Sequence, residues 1–243
     1  MKVFGVELTD ELRGIVREPA ALFFSIIMPV AFFALFVSLF GKLGGGEVPA
    51  GTAMLATFGA FGAISVVLMN PGIGVASDRE RGWLRAKQVS AVPIGVTLTA
   101  KVVAALPYAL GVLLAMTVTA AVTGVLDASP GAVLRLLAVL VFGALPFALL
   151  SLAIGFQVGP GTAAAVLNAV LLPSAVLSGL WMPLEIMPAF FSDVARFLPT
   201  YHLGRLALAQ LTGGPALTHV LVLLGTTIVT AALAAVSYRR ARS

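Results

Sequence analysis

Residues 136–184 read LLAVLVFGALPFALLSLAIGFQVGPGTAAAVLNAVLLPSAVLSGLWMPL, 49 consecutive positions without a charged side chain or a histidine. A helix rises about 1.5 Å per residue and the hydrocarbon core of a bilayer is about 30 Å thick, so one crossing takes about 20 apolar residues. The stretch is therefore two spans and a turn. Gly155, Gly159, Pro160 and Gly161, around the polar Gln157, mark the turn. Charge-free runs of spanning length also occupy Pro19–Gly41, Val48–Ser77 and Val102–Leu126, the last with Lys101 at its entrance. A final run, Leu206–Tyr238, becomes a span after Gly213-Gly214-Pro215. The expectation is an all-α integral membrane protein with six transmembrane helices, at about 20–41, 52–75, 99–124, 132–154, 162–181 and 216–237. Residues 19–243 then form one transmembrane domain behind a separate N-terminal element, 1–18.

Composition agrees. The 243 residues are 60% hydrophobic and 10% charged, with a mean hydropathy of +1.07, whereas soluble domains carry about 25% charged residues. The net charge of +5 reflects loop topology and anionic lipid; no soluble basic module is present to bind nucleic acid. The absence of cysteine removes disulfides, thiolate metal sites and Cys nucleophiles. Glu7, Asp10 and Glu11 stand where a signal peptide would be basic.

Lys and Arg orient the spans. With both termini on one side, that side receives Lys2, Arg13, Arg17, Arg79, Arg81, Arg85, Lys87, Lys101, Arg239, Arg240 and Arg242. The other side receives only Lys42, Arg135, Arg196 and Arg205. Both termini are expected to be cytoplasmic.

Three segments outside the spans carry pattern. In residues 2–18, Phe4, Leu8, Leu12 and Ile15 recur at helical spacing, with Glu7, Asp10, Glu11, Arg13 and Arg17 on the other face. This predicts an amphipathic interfacial helix, either an anchor that tilts the first span or a lever (Leu8, Leu12, Arg13, Arg17) that moves with a cytoplasmic partner. Residues 78–87 hold six charges, Asp78, Arg79, Glu80, Arg81, Arg85 and Lys87. Ser77-Asp78-Arg79-Glu80 reads as a capping box opening a new helix, 77–90, with Trp83 and Leu84 as its apolar contact and Pro93 as its end. A plain solvated loop obeying the positive-inside rule is the alternative, but that rule requires neither the acids nor the tryptophan. Residues 182–214, with Pro183, Glu185, Pro188, Asp193, Arg196, Pro199 and Arg205, follow Trp181, a residue type that anchors at interfaces. They are expected to form two short helices dipping into the outer leaflet, or else an amphipathic surface loop.

Little catalytic chemistry is legible. No span holds a charge in its middle third, which disfavours an ion-coupled carrier or a charge-lined pore. Gly41-Lys42-Leu43-Gly44-Gly45-Gly46 lacks the order of a phosphate loop, so if ATP drives the protein another chain binds it. There is no His-Glu-x-x-His and no Gly-x-Ser-x-Gly. His219 reads as packed or interfacial, and no metal site is expected. Asn70, beside Pro71, and Asn168 are the polar residues placed to face a substrate path or a partner helix. Gly155-x-x-x-Gly159 and Gly59-x-x-x-Ala63 suit close helix packing.

The order of these parts resembles the permease subunit of ABC-2 type exporters, the group that includes drug-resistance and polysaccharide-export permeases. Three segments carry the resemblance: the N-terminal helix ending at Arg17-Glu18-Pro19; Asp78-Arg79-Glu80-Arg81-Gly82 with Leu84-Arg85 and Ala91-Val92-Pro93; and Leu177-Ser178-Gly179-Leu180-Trp181-Met182-Pro183-Leu184-Glu185, then Met187-Pro188 and Leu198-Pro199-Thr200-Tyr201. The resemblance implies a six-span half-transporter, paired with a second permease and with separate phosphate-loop ATPase subunits that bind ATP and magnesium, so that this chain is not itself an enzyme. It implies that 77–90, with Ser77, Asp78, Arg79, Glu80, Arg81, Gly82, Trp83, Leu84 and Arg85, is a coupling helix seated in the ATPase. It further implies that Ser178, Gly179, Pro183, Glu185, Pro188 and Pro199 belong to an extracytoplasmic cap over the path of an amphipathic substrate. Segment 157–161 carries no charge, where family members often do, so the resemblance extends no second ATPase contact to it. A membrane scaffold or sensor that recruits a cytoplasmic protein would share the charged cluster. An ion-coupled secondary carrier would not need it.

Overall fold

The computed structural model describes residues 2–16, 23–42, 48–83 and 93–242. Among these, the regular elements are all helical. They are α1 (Lys2–Val16), α2 (Met28–Phe40, preceded by a π-helical turn, Phe23–Ile27), α3 (Ala50–Glu80), α4 (Ile94–Val122), α5 (Pro130–Gly143), α6 (Leu145–Gly155), α7 (Pro160–Leu177), α8 (Ala189–Ala195), α9 (Pro199–Thr212) and α10 (Leu217–Arg242).

Among the described residues, five units are long and apolar enough to cross a membrane: α3, α4, the α5–α6 pair, α7 and α10. The first expected span, 20–41, is represented by α2, which has 13 residues; its predicted start, up to residue 22, lies outside the described residues. The fourth crossing is two helices. Pro146 has no amide hydrogen, so the ladder breaks and Phe147 N–H reaches back only three residues, to Ala144 O. Pro71, Pro107 and Pro173 sit inside α3, α4 and α7 without ending them.

The crossings alternate in direction, and two sets of contacts define the ends of the bundle. At one end Gly51 N–H bonds Gly41 O, and the Thr52 hydroxyl donates to Val125 O and accepts from Asp127 N–H. At the other end, called here the near end, meet α1, the C-terminus of α3, the start of α4, the α6–α7 turn and the C-terminus of α10. α3 is the central helix: 83% of its most apolar stretch is buried, against 11% for α10 on the rim.

Lipid tails are as apolar as leucine, so close van der Waals packing, more than exclusion of water, holds such helices together. The glycines of α3 permit that approach. A Cβ on Gly59 would lie 2.8 Å from Leu140 Cδ1, and one on Gly72 would lie 2.8 Å from the Ser151 carbonyl oxygen of α6. From α6, a Cβ on Gly155 would fall 2.2 Å from Gly72 O and 2.5 Å from Val75 Cγ1. The two backbones therefore touch where α3 crosses α6. Gly159, its expected partner in the motif, has open space around it. Near the other end, aromatic rings join α2 to α3: Phe33 and Phe58 are 6.0 Å apart, and Phe36 and Phe58 5.3 Å, spacings at which ring pairs attract.

Candidate functional site

The charged cluster of residues 78–87 is divided by the fold. Ser77, Asp78, Arg79 and Glu80 are the last turn of α3, not the first turn of a new helix. Arg81 N–H bonds Ser77 O, and Gly82, at φ 76°, supplies the left-handed residue that ends the helix with its N–H on Arg79 O. Ser77 therefore caps nothing. The correction has a tertiary cause: Val75 and Ala76 are fully buried, Val75 against Leu152 and Phe156, and this packing carries the helix through a sequence that locally reads as a start. Trp83 is helical and begins the segment after the turn. Leu84 and Arg85, like Arg17, lie outside the described residues.

Asp78 and Arg79 face inward. Asp78 Oδ2 lies 2.8 Å from Lys101 Nζ, and the same ammonium lies 2.8 Å from Glu11 Oε1 and 2.8 Å from Glu11 Oε2. The Lys101 side chain is 4% exposed, that of Glu11 19% and that of Asp78 23%. Three helices, α1, α3 and α4, therefore share one buried cation. Arg79 donates to Phe156 O, just past the end of α6, where a cation meets the negative end of the helix dipole. Tyr108 OH donates to Leu12 O at 2.8 Å, a second tie between α4 and α1. Gln157 Nε2 donates to Ser237 O at 2.9 Å, binding the α6–α7 turn to α10. The uncharged turn at 157–161 thus has a structural use inside the chain.

Glu80, Arg81 and Trp83 face outward, Trp83 being 56% exposed. With Arg13 of α1 and Arg239 of α10, also exposed, they form the polar and aromatic surface of the near end. Leu8 and Leu12 are half-buried along α1, which packs on α4.

At the far end, Ser178 ends α7 and its hydroxyl bonds that of Thr200 at the start of α9, both residues being buried. Gly179, at φ 70°, turns the chain where a Cβ would sit 2.6 Å from Leu184 Cγ. Pro188 stands immediately before α8 and Pro199 opens α9, while Pro183 and Glu185 are exposed. α9 is no surface loop: it packs on α3, α5 and α10 and buries Thr200, His202, Leu203, Gly204, Leu206 and Ala207. His202 Nδ1 lies 2.9 Å from His219 Nδ1, and His202 Nε2 lies 2.9 Å from Arg196 O. Among the described residues no cluster of three metal-ligating side chains occurs. Trp181 packs between Phe32 and Phe61, at 6.0 and 5.1 Å, an inward use of a residue expected to anchor at the interface. Asn70 and Asn168 are not brought together by any hydrogen bond among the described residues; each donates within its own helix, to Val66 O and Ala164 O.

Residues 3–211 match the family model of the ABC-2 type transporter. The chain belongs to that family. It is 26% identical over 229 residues to a protein of Bacillus subtilis (strain 168) named "Putative transport permease YvfS", the match covering 92% of each chain. As an ABC-2 permease the chain is a membrane transport subunit, a type that is generally not catalytic. The functional geometry is accordingly to be sought in its surfaces and in the joints between its helices.

The sequence did not single out the triad. Its legible signals were Lys101 alone beside a long charge-free run and acids at 11 and 78; only the fold brings these three together.

Proposed function

We propose that this chain is the membrane-spanning half of an ATP-driven exporter that moves an amphipathic substrate, such as a drug, a lipid or a glycolipid, outward across a bacterial plasma membrane. A separate phosphate-loop ATPase binds ATP and magnesium and performs the hydrolysis, and a second permease completes the pathway. The excess of Lys and Arg at the near end supports a cytoplasmic position for both termini.

The observation that carries the reading is the division at Gly82. Before it, Asp78 and Arg79 are consumed by ties within the permease. Around it, Glu80, Arg81 and Trp83 are exposed where α3 gives way to the connection between two spans. A mixed-charge surface with an exposed indole suits a protein partner, since aromatic and arginine side chains dominate interface energies. The partner ATPase engages this connection and α1 beside it, and its nucleotide-driven closure rocks α3 and α4.

The test is a pull-down of the partner ATPase by the intact permease in detergent, native against Arg81→Glu/Arg85→Glu. Association should be reduced by the charge reversal. Undiminished association would remove the coupling role from this face. A partner that binds but hydrolyses no ATP would favour a scaffold or sensor.

A further inference from the structure

The near end holds a second device, distinct from the exposed docking surface. Lys101 lies two turns into α4, buried, and its ammonium touches carboxylates from two other helices, one N-terminal to the first span and one at the end of α3. Isolated buried charges are costly, and a cation held between two carboxylates persists because each group compensates the others. A Cβ added at Gly74 of α3 would stand 3.4 Å from the Lys101 ammonium, so the ammonium lies against α3. Tyr108, two turns further along α4, fixes the neighbouring Leu12 carbonyl of α1.

We infer that Lys101 is a positioning residue for transport: it clamps α1 and the last turn of α3 to α4, so that these three move as one rigid body when the connection after Gly82 is pushed. The inference rests on the proposed ATPase coupling. It changes the part played by α1, which is then neither a free lever nor a passive anchor but an extension of α4. It also explains why Asp78, inside the charged cluster, is spent inward: an acid there joins the docking turn to the body it must move. The bidentate contact to Glu11 and the single contact to Asp78 make α1 the partner most dependent on the lysine.

The chain contains no cysteine, so spin labels can be placed without background. Val6 on α1 and Leu114 on α4 are both exposed; cysteine at each position, labelled and measured by pulsed electron paramagnetic resonance in phosphatidylcholine–phosphatidylglycerol vesicles, reads the α1–α4 distance. With the permease alone, the native protein and Lys101→Arg should give one narrow distance distribution. Lys101→Met and Glu11→Gln should lose it to a broad one. Glu11→Gln keeps the Lys101–Asp78 pair and covers the case in which Lys101→Met does not fold. Equal widths in native and Glu11→Gln protein would overturn the clamp. With the partner ATPase added and trapped by ATP and vanadate, the native distance should stay where it was; a resolved shift would overturn the one-body motion. If no ATPase associates, the proposed coupling fails, while the measurement on the permease alone still decides whether Lys101 holds α1.

Discussion

Gly155→Ala places one methyl group at the closest crossing in the bundle. The new Cβ would lie 2.2 Å from Gly72 O and 2.5 Å from Val75 Cγ1. Non-bonded heavy atoms are most stable at about 3.5–4.0 Å, so α3 and α6 must part by about 1 Å or more, and no rotamer relieves a clash with a backbone oxygen. Overpacking costs about 1–3 kcal/mol and here falls at the upper end; alanine returns up to about 1 kcal/mol through its helix propensity. The net loss of about 2 kcal/mol corresponds to a fall of about 4–8 °C in unfolding midpoint for a chain of this size. Gly159→Ala is the control, because nothing lies within 4 Å of its Cβ; as the N-cap of α7 it should lose no more than about 1 kcal/mol, the margin of glycine over alanine at that position. The assay is the midpoint for loss of the monodisperse peak on heating in detergent, at one fixed heating rate because such unfolding is commonly irreversible. A Gly155→Ala midpoint equal to native, or an equal fall for Gly159→Ala, would refute the reasoning.

Two further hydrogen-bonded sites probe the far end by the same assay. Thr52→Val removes a hydroxyl that bonds both Val125 O and Asp127 N–H in a fully buried position; it should cost about 1–3 kcal/mol, and Thr52→Ser should restore most of it. The Ser178–Thr200 bond joins α7 to α9. Ser178→Ala and Thr200→Val should therefore be non-additive by at least about 0.5 kcal/mol in a double-mutant cycle, and strict additivity would remove that bond as a tie. The pull-down with reversed Arg81 and Arg85, and the α1–α4 distance measurement, complete the set.

What the sequence disclosed followed the range of its signals. Apolar run length needs no tertiary context, so the crossings at 50–80, 94–122, 130–155, 160–177 and 217–241 were legible. The capping box at Ser77 was not reliable, because the same four residues suit the end of a helix when Val75 is held by Leu152 and Phe156 and Gly82 follows. The motif at Gly155 carries half of the answer: spacing marks two glycines as able to approach a neighbour, and only the path of α3 decides which one does. Lys101 illustrates a long range. Its partners stand 90 and 23 positions earlier, and no local pattern links them. For the same reason the packing of α9 on α3 and the burial of His202 cannot be read from residues 182–214 alone.

The break at Ala144 divides the fourth crossing between two sets of neighbours. Its near half, α6, is pressed against α3 and α10; its far half, α5, lies against α9. A continuous helix transmits bending along its hydrogen-bond ladder, and a proline interrupts that ladder. The crossing is therefore built as an elbow, whose forearm belongs to the near end and whose upper arm lies against α9 at the far end. Bending that enters α6 beside Gly155 need not continue into α5, and reaches α9 through α3 and α10 instead.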